Sequence, residues 1–436
     1  MHKSSLGYSL LFTNAIGNTV AGVLPTVIAV LVTKTLSLQA LATLLIASAL
    51  VRFILTPLLA PFVERHNPLA LSLRCEYLLL GLCSWMAWQL FANHISMVDW
   101  LLYFVGSAVI QSALAPAYSK ISVRLVPNED MTVFSAWEGA VFYIARLGGP
   151  IIAGVCLLLW PATTVLIAVL LLPAVFGMFV YAILNKKAGH LFDTSMKMPR
   201  QKSLTARELF SMWTQEISDG FSIRWRIRTE RFLAVQVFLE LLVIIPTFGI
   251  VLPSILTSRN LDASWLGWME AGCGAGLVLG SLAAPKVIDI VSPWRACIGS
   301  AFLLSVFVFL CGFFETQGDM PGLTLALFLA NFSLGVRMQS GAAQRRVAIP
   351  DAMRARFASI HIALNSAAAQ LGIGMAALWL VYASPGWWFA LSAAILFGLA
   401  VLLTRIPGYR ALIDQEVSSA QGYYERMYPS VCAPAA

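Results

Sequence analysis

Six ionisable side chains interrupt long apolar runs of this chain: Arg52, Glu138, Arg146, Glu240, Glu270 and Arg337. A charge at the centre of a bilayer costs about 2.5–3.5 kcal/mol on insertion scales, so such groups face a wet cavity or one another. Three of each sign allow mutual neutralisation. They also supply two chemistries. A guanidinium presents a planar fork to a carboxylate or phenolate, and a desolvated carboxylate binds protons more tightly than one in water.

Spacing places several of them on helix faces. Ser333, Arg337, Ser340 and Gln344 fall at i, i+4, i+7 and i+11. This face reads either as a site for an anionic group or as a structural ion pair. Gln236, Glu240 and Thr247 repeat the spacing, with Glu240 as a proton-coupling carboxylate or as the partner of an arginine. Asn14, Asn18, Gly22 and Pro25 form a comparable face, and His361 with Asn365 stands at i, i+4 as a titrating pair or a packing pair. Glu138 and Arg146 lie two turns apart before Gly148-Gly149-Pro150, a run that permits close helix approach and a bend. Gly272, Gly274, Gly276 and Gly280 read as packing positions, with Glu270 beside them as a candidate cavity residue.

The elements that must carry these residues follow from composition. The chain is 59% hydrophobic and 11% charged, with a mean hydropathy of +0.79. Soluble domains carry about 25% charged residues. Twelve apolar segments, centred near residues 20, 49, 80, 110, 144, 173, 244, 276, 304, 333, 367 and 396, are long enough to span a bilayer. No strand-like alternation accompanies them, so the expectation is an all-α membrane protein of twelve transmembrane helices. The first run exceeds a signal h-region and reads as a retained helix. The seven cysteines are scattered without a C-x-x-C spacing, which argues against a disulfide framework or a metal site. With the N-terminus placed inside, about 24 of the Lys and Arg residues fall in links and tails on the cytoplasmic side. The net charge of +8 is therefore a topology signal rather than a nucleic-acid footprint.

The chain repeats itself at a steady offset of about 220 residues. Pro127 and Phe134 match Pro350 and Phe357, Leu147-Gly148 matches Leu371-Gly372, and Pro25 matches Pro246. This predicts two pseudo-symmetric six-helix bundles over 1–184 and 231–406, a basic linker over 185–230 and a polar, aromatic tail over 407–436. Parallel six-plus-six repeats are the pattern of transporters that rock about a central site.

Several motifs give this pattern a family. The link Ala60-x-x-x-Glu64-Arg65-His66-Asn67 resembles the G-x-L-x-D-R-x-x-R-[RK] signature of the major facilitator superfamily, with Ala60 for glycine, Glu64 for aspartate and Pro68-Leu69-Ala70 in place of the basic pair. Leu125-Val-Pro-Asn-Glu through Leu147-Gly-Gly-Pro-x-x-Ala-Gly154 is similar to elements of proton-driven exporters such as the macrolide efflux proteins and the enterobactin exporter. Glu216-x-x-x-Gly220 through Arg231-Phe232 resembles that branch's lead-in to the seventh helix. The fourth segment carries Gln111 where many drug–proton antiporters of the family have a buried arginine.

The resemblance implies that segments 1, 4, 7 and 10 line a central cavity. Asn18, Gln111, Glu138, Arg146, Gln236, Glu240, Glu270, Arg337 and His361 are then the candidates for substrate binding or coupling. It also implies a gate formed by Glu64, Arg65 and Glu76, near Arg74, and by Gly148, Gly149 and Pro150. A surface salt bridge worth under about 1 kcal/mol is the other reading of the charged set. The implied protein is a monomer in the bacterial inner membrane, both termini cytoplasmic, exporting a drug-like molecule or siderophore in exchange for protons. Import on the same fold and a non-transporting sensor or enzyme are the alternatives. No nucleophile–base pair, H-E-x-x-H or phosphate loop supports an enzyme, and no cofactor is expected.

Overall fold

Polar caps and first-turn prolines punctuate the apolar runs. The Asn67 side chain accepts from the Leu69 and Ala70 amides at 3.0 and 3.3 Å and opens the helix Pro68–Phe91. Ser96 and Asp99 form a reciprocal capping box for Met97–Leu125, and Asp319 accepts from the Gly322 amide at 3.0 Å to start Met320–Gln339. Pro68, Pro293 and Pro385 sit in first turns, where a missing N–H costs nothing.

The computed structural model describes residues 3–35, 38–92, 94–192, 222, 224–262 and 264–432. Its helices are α1 (Lys3–Thr35), α2 (Leu38–Arg65), α3 (Pro68–Phe91), α4 (Met97–Leu125), α5 (Met131–Leu159) and α6 (Ala162–Ala188). The second set comprises α7 (Arg228–Pro246), α8 (Leu252–Arg259), α9 (Ser264–Val291), α10 (Pro293–Gln317), α11 (Met320–Gln339), α12 (Ala342–Ala348), α13 (Arg354–Tyr382) and α14 (Pro385–Arg405). Four short helices follow: α15 (Tyr409–Ile413), α16 (Val417–Ala420), α17 (Tyr423–Met427) and α18 (Pro429–Cys432). Ten spans among the described residues are long and apolar enough to cross a membrane. With α5 and the broken seventh segment they account for the twelve segments of the sequence. The fold is all-α, as expected.

Two segments depart from simple helices. The seventh continues past Pro246 as a π turn, Thr247–Val251, before α8, so Thr247 leaves the regular register of Gln236 and Glu240. The tenth breaks at Ser340, whose backbone is extended, and at Gly341, which takes a φ of 84°. The face Ser333–Arg337–Ser340–Gln344 is therefore not continuous. A Cβ on Gly341 would meet Ile413 Cγ2 at 2.5 Å, so this turn needs glycine both for its backbone and for its neighbour.

The chain forms two units. Unit 1 holds residues 1–127, 148–223 and 350–363, and unit 2 holds 128–147, 224–349 and 364–436. Both α5 and α13 thus divide between the units. In unit 1 a core from α1, α2, α3, α4 and α6 gathers Val27, Leu44, Met86, Trp100 and Leu166. In unit 2 Cys273, Cys311, Leu323, Trp388 and Phe389 join α9, α10, α11 and α14. Large apolar side chains such as Leu158 and Trp88, 87% and 67% exposed, remain uncovered, as suits helices bathed in lipid. Five cysteines are buried packing residues, as their scatter suggested.

Inside unit 2, glycines bring α9 and α11 close together. A Cβ on Gly276 or Gly280 would overlap the Phe328 or Phe332 carbonyl oxygen, and one on Gly335 would lie 2.7 Å from the Leu277 oxygen. Gly280→Ala should destabilise by about 1–3 kcal/mol through overpacking. The purified variant is expected to melt below wild type, whereas Gly299→Ala, with nothing within 4 Å, should melt with it.

Candidate functional site

Helix periodicity brings Gln236 and Glu240 onto one face of α7, both 3% exposed. Gln236 Nε2 donates to Glu240 Oε2 at 2.6 Å, and Arg337 Nη2 of α11 donates to Glu240 Oε1. The Arg337 side chain is 10% exposed. Glu240 and Arg337 thus form an ion pair between α7 and α11. Ser333 and Ser340 direct their hydroxyls to carbonyls of their own helix turn, at 2.9 Å each. They do not join the pair. Gln344 lies beyond the break and donates to the Gln415 carbonyl at 3.3 Å.

Glu138 on α5 has its own partner, Arg346 of α12, within unit 2. Two helix turns along α5, the side chains of Arg146 and Pro150 fall outside the described set. Beside Glu138, a Cβ on Gly139 would overlap the Gln339 amide, so α5 and α11 approach closely there. Glu270 is exposed on α9 and makes no ion pair among the described residues.

Unit 1 assembles a second constellation. The Glu64 side chain, 1% exposed, accepts from the Arg356 amide at 3.0 Å and from Arg356 Nε. Lys120 Nζ donates to the Glu64 carbonyl at 3.1 Å. Nearby, Asp351 pairs with Arg354 and, at 2.9 Å, with Arg124, which also donates to the Leu191 carbonyl at 3.0 Å. Burial acts to raise the Asp351 carboxyl, but the two guanidiniums prevail and hold it below its ordinary range. Of the charged gate residues, Glu64 enters this set. Glu76 does not: its carboxylate lies against Gly177 of α6, where a Cβ would sit 2.8 Å away.

Gly149 packs against the Gly22 backbone of α1, so close that a Cβ would overlap it, while Gly148 has open space around it. Asn18 donates to Asn14 at 3.0 Å, and Gln111 and His361 are half-buried on α4 and α13.

One cluster escaped the sequence reading. Glu230, fully buried at the start of α7, accepts both prongs of Arg345 at 2.9 and 2.8 Å and the Tyr424 hydroxyl at 2.7 Å. Arg224 stands 3.8 Å away. Burial lowers Arg224 to about 10 against the pull of Glu230, so it stays charged at neutral pH. Burial and the same carboxylate push the Tyr424 hydroxyl well above its ordinary value, keeping it a donor. The tail thereby closes onto α7 and α12. The available signal was Glu230 among the linker arginines, but nothing local pointed to Tyr424.

No group of three or more potential metal ligands occurs among the described residues. Apolar helices with charges paired inside them, arranged in two units, define a multi-pass membrane transporter. The chain belongs to the Major Facilitator Superfamily, whose family model matches residues 8–369. Similar solved structures include a bacterial homologue of the iron transporter ferroportin in an outward-facing state, with a TM-score of 0.72, 15% identity and coverage of 94% of this chain and 100% of that one. The human organic anion transporter MFSD10 scores 0.65 at 16% identity, covering 92% and 98%. The proton:xylose symporter XylE scores 0.64 at 15%, covering 96% and 99%. At these identities the likeness is one of fold. No curated protein matches the chain in sequence.

The Glu230 cluster is directly testable. Arg345→Ala strands a buried carboxylate and should cost about 3–5 kcal/mol. Tyr424→Phe removes one hydrogen bond to a charged group, worth about 1.5–3 kcal/mol. Thermal melts of the purified variants should rank wild type above Tyr424→Phe above Arg345→Ala.

Proposed function

We propose that this chain is a secondary exporter, carrying a small organic molecule out across a bacterial inner membrane in exchange for protons. The observation that carries the reading is the Glu240 carboxylate, 3% exposed yet shared between Gln236 and Arg337 inside apolar helices. Exchange requires proton and cargo to exclude one another, because linkage between two ligands is reciprocal. A cargo that donates a hydrogen bond to ionised Glu240 meets that requirement. Protonation removes the acceptor's charge and weakens the cargo's hold, and cargo binding disfavours the proton.

Two further ion pairs suit a gate. Glu64 of α2 binds Arg356 of α13, and Glu138 of α5 binds Arg346 of α12. In each, a residue from the first half of the sequence holds one from the second. In parallel-repeat transporters one half rocks against the other. Pairs of this kind must then open and reform in each cycle, with open space at Gly148 giving α5 room to adjust.

Proteoliposomes holding the purified chain, loaded with catecholate or carboxylate siderophores or with macrolides, test the reading under an imposed pH gradient. Wild type should move at least one of these cargoes faster with the gradient than without it. Glu240→Gln should lose that acceleration, by about tenfold or more, while keeping gradient-free exchange of labelled for unlabelled cargo. Flux indifferent to the gradient, or driven equally well by Glu240→Gln, would sink coupling through this carboxylate.

A further inference from the structure

Among the described residues, five arginines in or near the apolar helices are matched to carboxylates. Arg337 has Glu240, Arg346 has Glu138, Arg345 has Glu230, Arg356 has Glu64 and Arg259 has Glu315. Arg52, at the middle of α2, differs. Among the described residues its guanidinium makes no ion pair and no hydrogen bond, and only its backbone carbonyl is engaged, by Thr56 at 2.6 Å. A bare guanidinium at that position is costly in hydrocarbon, so it needs water or an anion.

Its own face carries Leu45, 48% exposed and about 20° away around the helix. Ile54 and Leu50, 52% and 55% exposed, lie about 160° around the helix from Arg52. Towards the end of α2 that carries Glu64, the Arg52 side of the helix is packed, with Thr56, Ala60 and Val63 at 1%, 1% and 0% exposure. At Arg52 it is exposed. The open part of this side thus begins at the cation.

Two polar side chains of unit 1 stand at a similar depth. Arg52 lies about 20 Å along α2 from Arg65 at 1.5 Å per residue. On the same scale Asn18 is about 17 Å from Gly7, which packs against Val126, and Gln111 about 14 Å from Lys120, which bonds to Glu64. A cation and two neutral amide side chains therefore share one middle layer of the unit.

We propose that Arg52 is the specificity-determining residue for an acidic cargo, receiving its carboxylate on the open side of α2. The inference rests on the exporter reading and sharpens it. An anion placed on Arg337 would displace Glu240, and the freed carboxylate would take up a proton along with the cargo, giving co-transport. An anion on Arg52 leaves the Glu240–Arg337 pair intact. The planar guanidinium fork favours a carboxylate in two-point contact.

The test uses melting of the full chain, purified in detergent, titrated with salicylate, benzoate and citrate against neutral salicylamide and benzamide. At least one acid should raise the melting temperature of wild type while its amide does not. Arg52→Gln should weaken that response by about tenfold or more, and Arg52→Lys, which keeps the charge without the fork, should fall between. Equal responses in wild type and Arg52→Gln overturn the proposal, as does a wild type indifferent to all three acids. Should Arg52→Gln fail to fold, Arg52→Lys decides: an unweakened response overturns the role of the fork. Transport is scored separately in proteoliposomes. Acid binding lost in Arg52→Gln, with no gradient-driven flux in wild type, keeps the anion site and removes the exporter reading.

Discussion

A charge enclosed by apolar helices must find its opposite within hydrogen-bonding distance, or stay wet, and the arrangement of this protein follows from that requirement. Desolvating an ion costs several kcal/mol even after relaxation, and only a close, well-bonded partner returns most of it. Glu240 with Arg337, Glu138 with Arg346, Glu230 with Arg345 and Glu64 with Arg356 each answer the requirement. Such pairs do little for net stability compared with apolar replacements. Their effect is on register. Helices that slide freely against one another in lipid are held at the one offset where guanidinium and carboxylate meet.

Two of these pairs involve helices that are divided between the units. The stretch 128–147 of α5 belongs to unit 2, which holds Arg346, while the rest of the helix from Gly148 belongs to unit 1. The stretch 350–363, including the start of α13, belongs to unit 1, which holds Glu64, and the remainder lies in unit 2. Glycines also bring each shared helix close to a neighbour within one unit. Gly149 reaches the backbone of Gly22, and Gly372 reaches the Leu242 carbonyl oxygen. Ion pairs are directional and breakable, whereas backbone contact through glycine tolerates small rotations. That division of labour is what a moving membrane protein needs.

The sequence made the segments legible because hydropathy is a local property, readable from about twenty residues at a time. Ser96, Asn67 and Asp319 as helix starts follow from equally local rules. The mate of Glu240 was among the charges singled out, yet Arg346 and Arg356 were not recognised as mates of Glu138 and Glu64. Their separations in sequence run to hundreds of residues, and no periodicity connects them. The breaks at Pro246 and Gly341 were likewise missed. A π turn or a left-handed glycine in an apolar run leaves the hydropathy unchanged while shifting every face beyond it. For the same reason Gln344 looked like a neighbour of Arg337 and instead holds the tail.

Charge bookkeeping across the membrane connects Arg52 to the energy source. On the proposed exchange, a neutral cargo leaving as one proton enters transfers a single charge. A monoanionic cargo leaving for one proton transfers two in the same sense, and each charge is worth about 2.3 kcal/mol per 100 mV. An acidic cargo therefore draws on the membrane potential twice. The obstacle is the passage itself, where an anion must be held in a low-dielectric interior. A cation built into α2 removes that obstacle only if no carboxylate of the protein already occupies it. On that proposal, Arg337 is already paired inside the protein, and Arg52 is the cation left to hold the anion. A design with both arginines paired would retain the fold and lose this advantage.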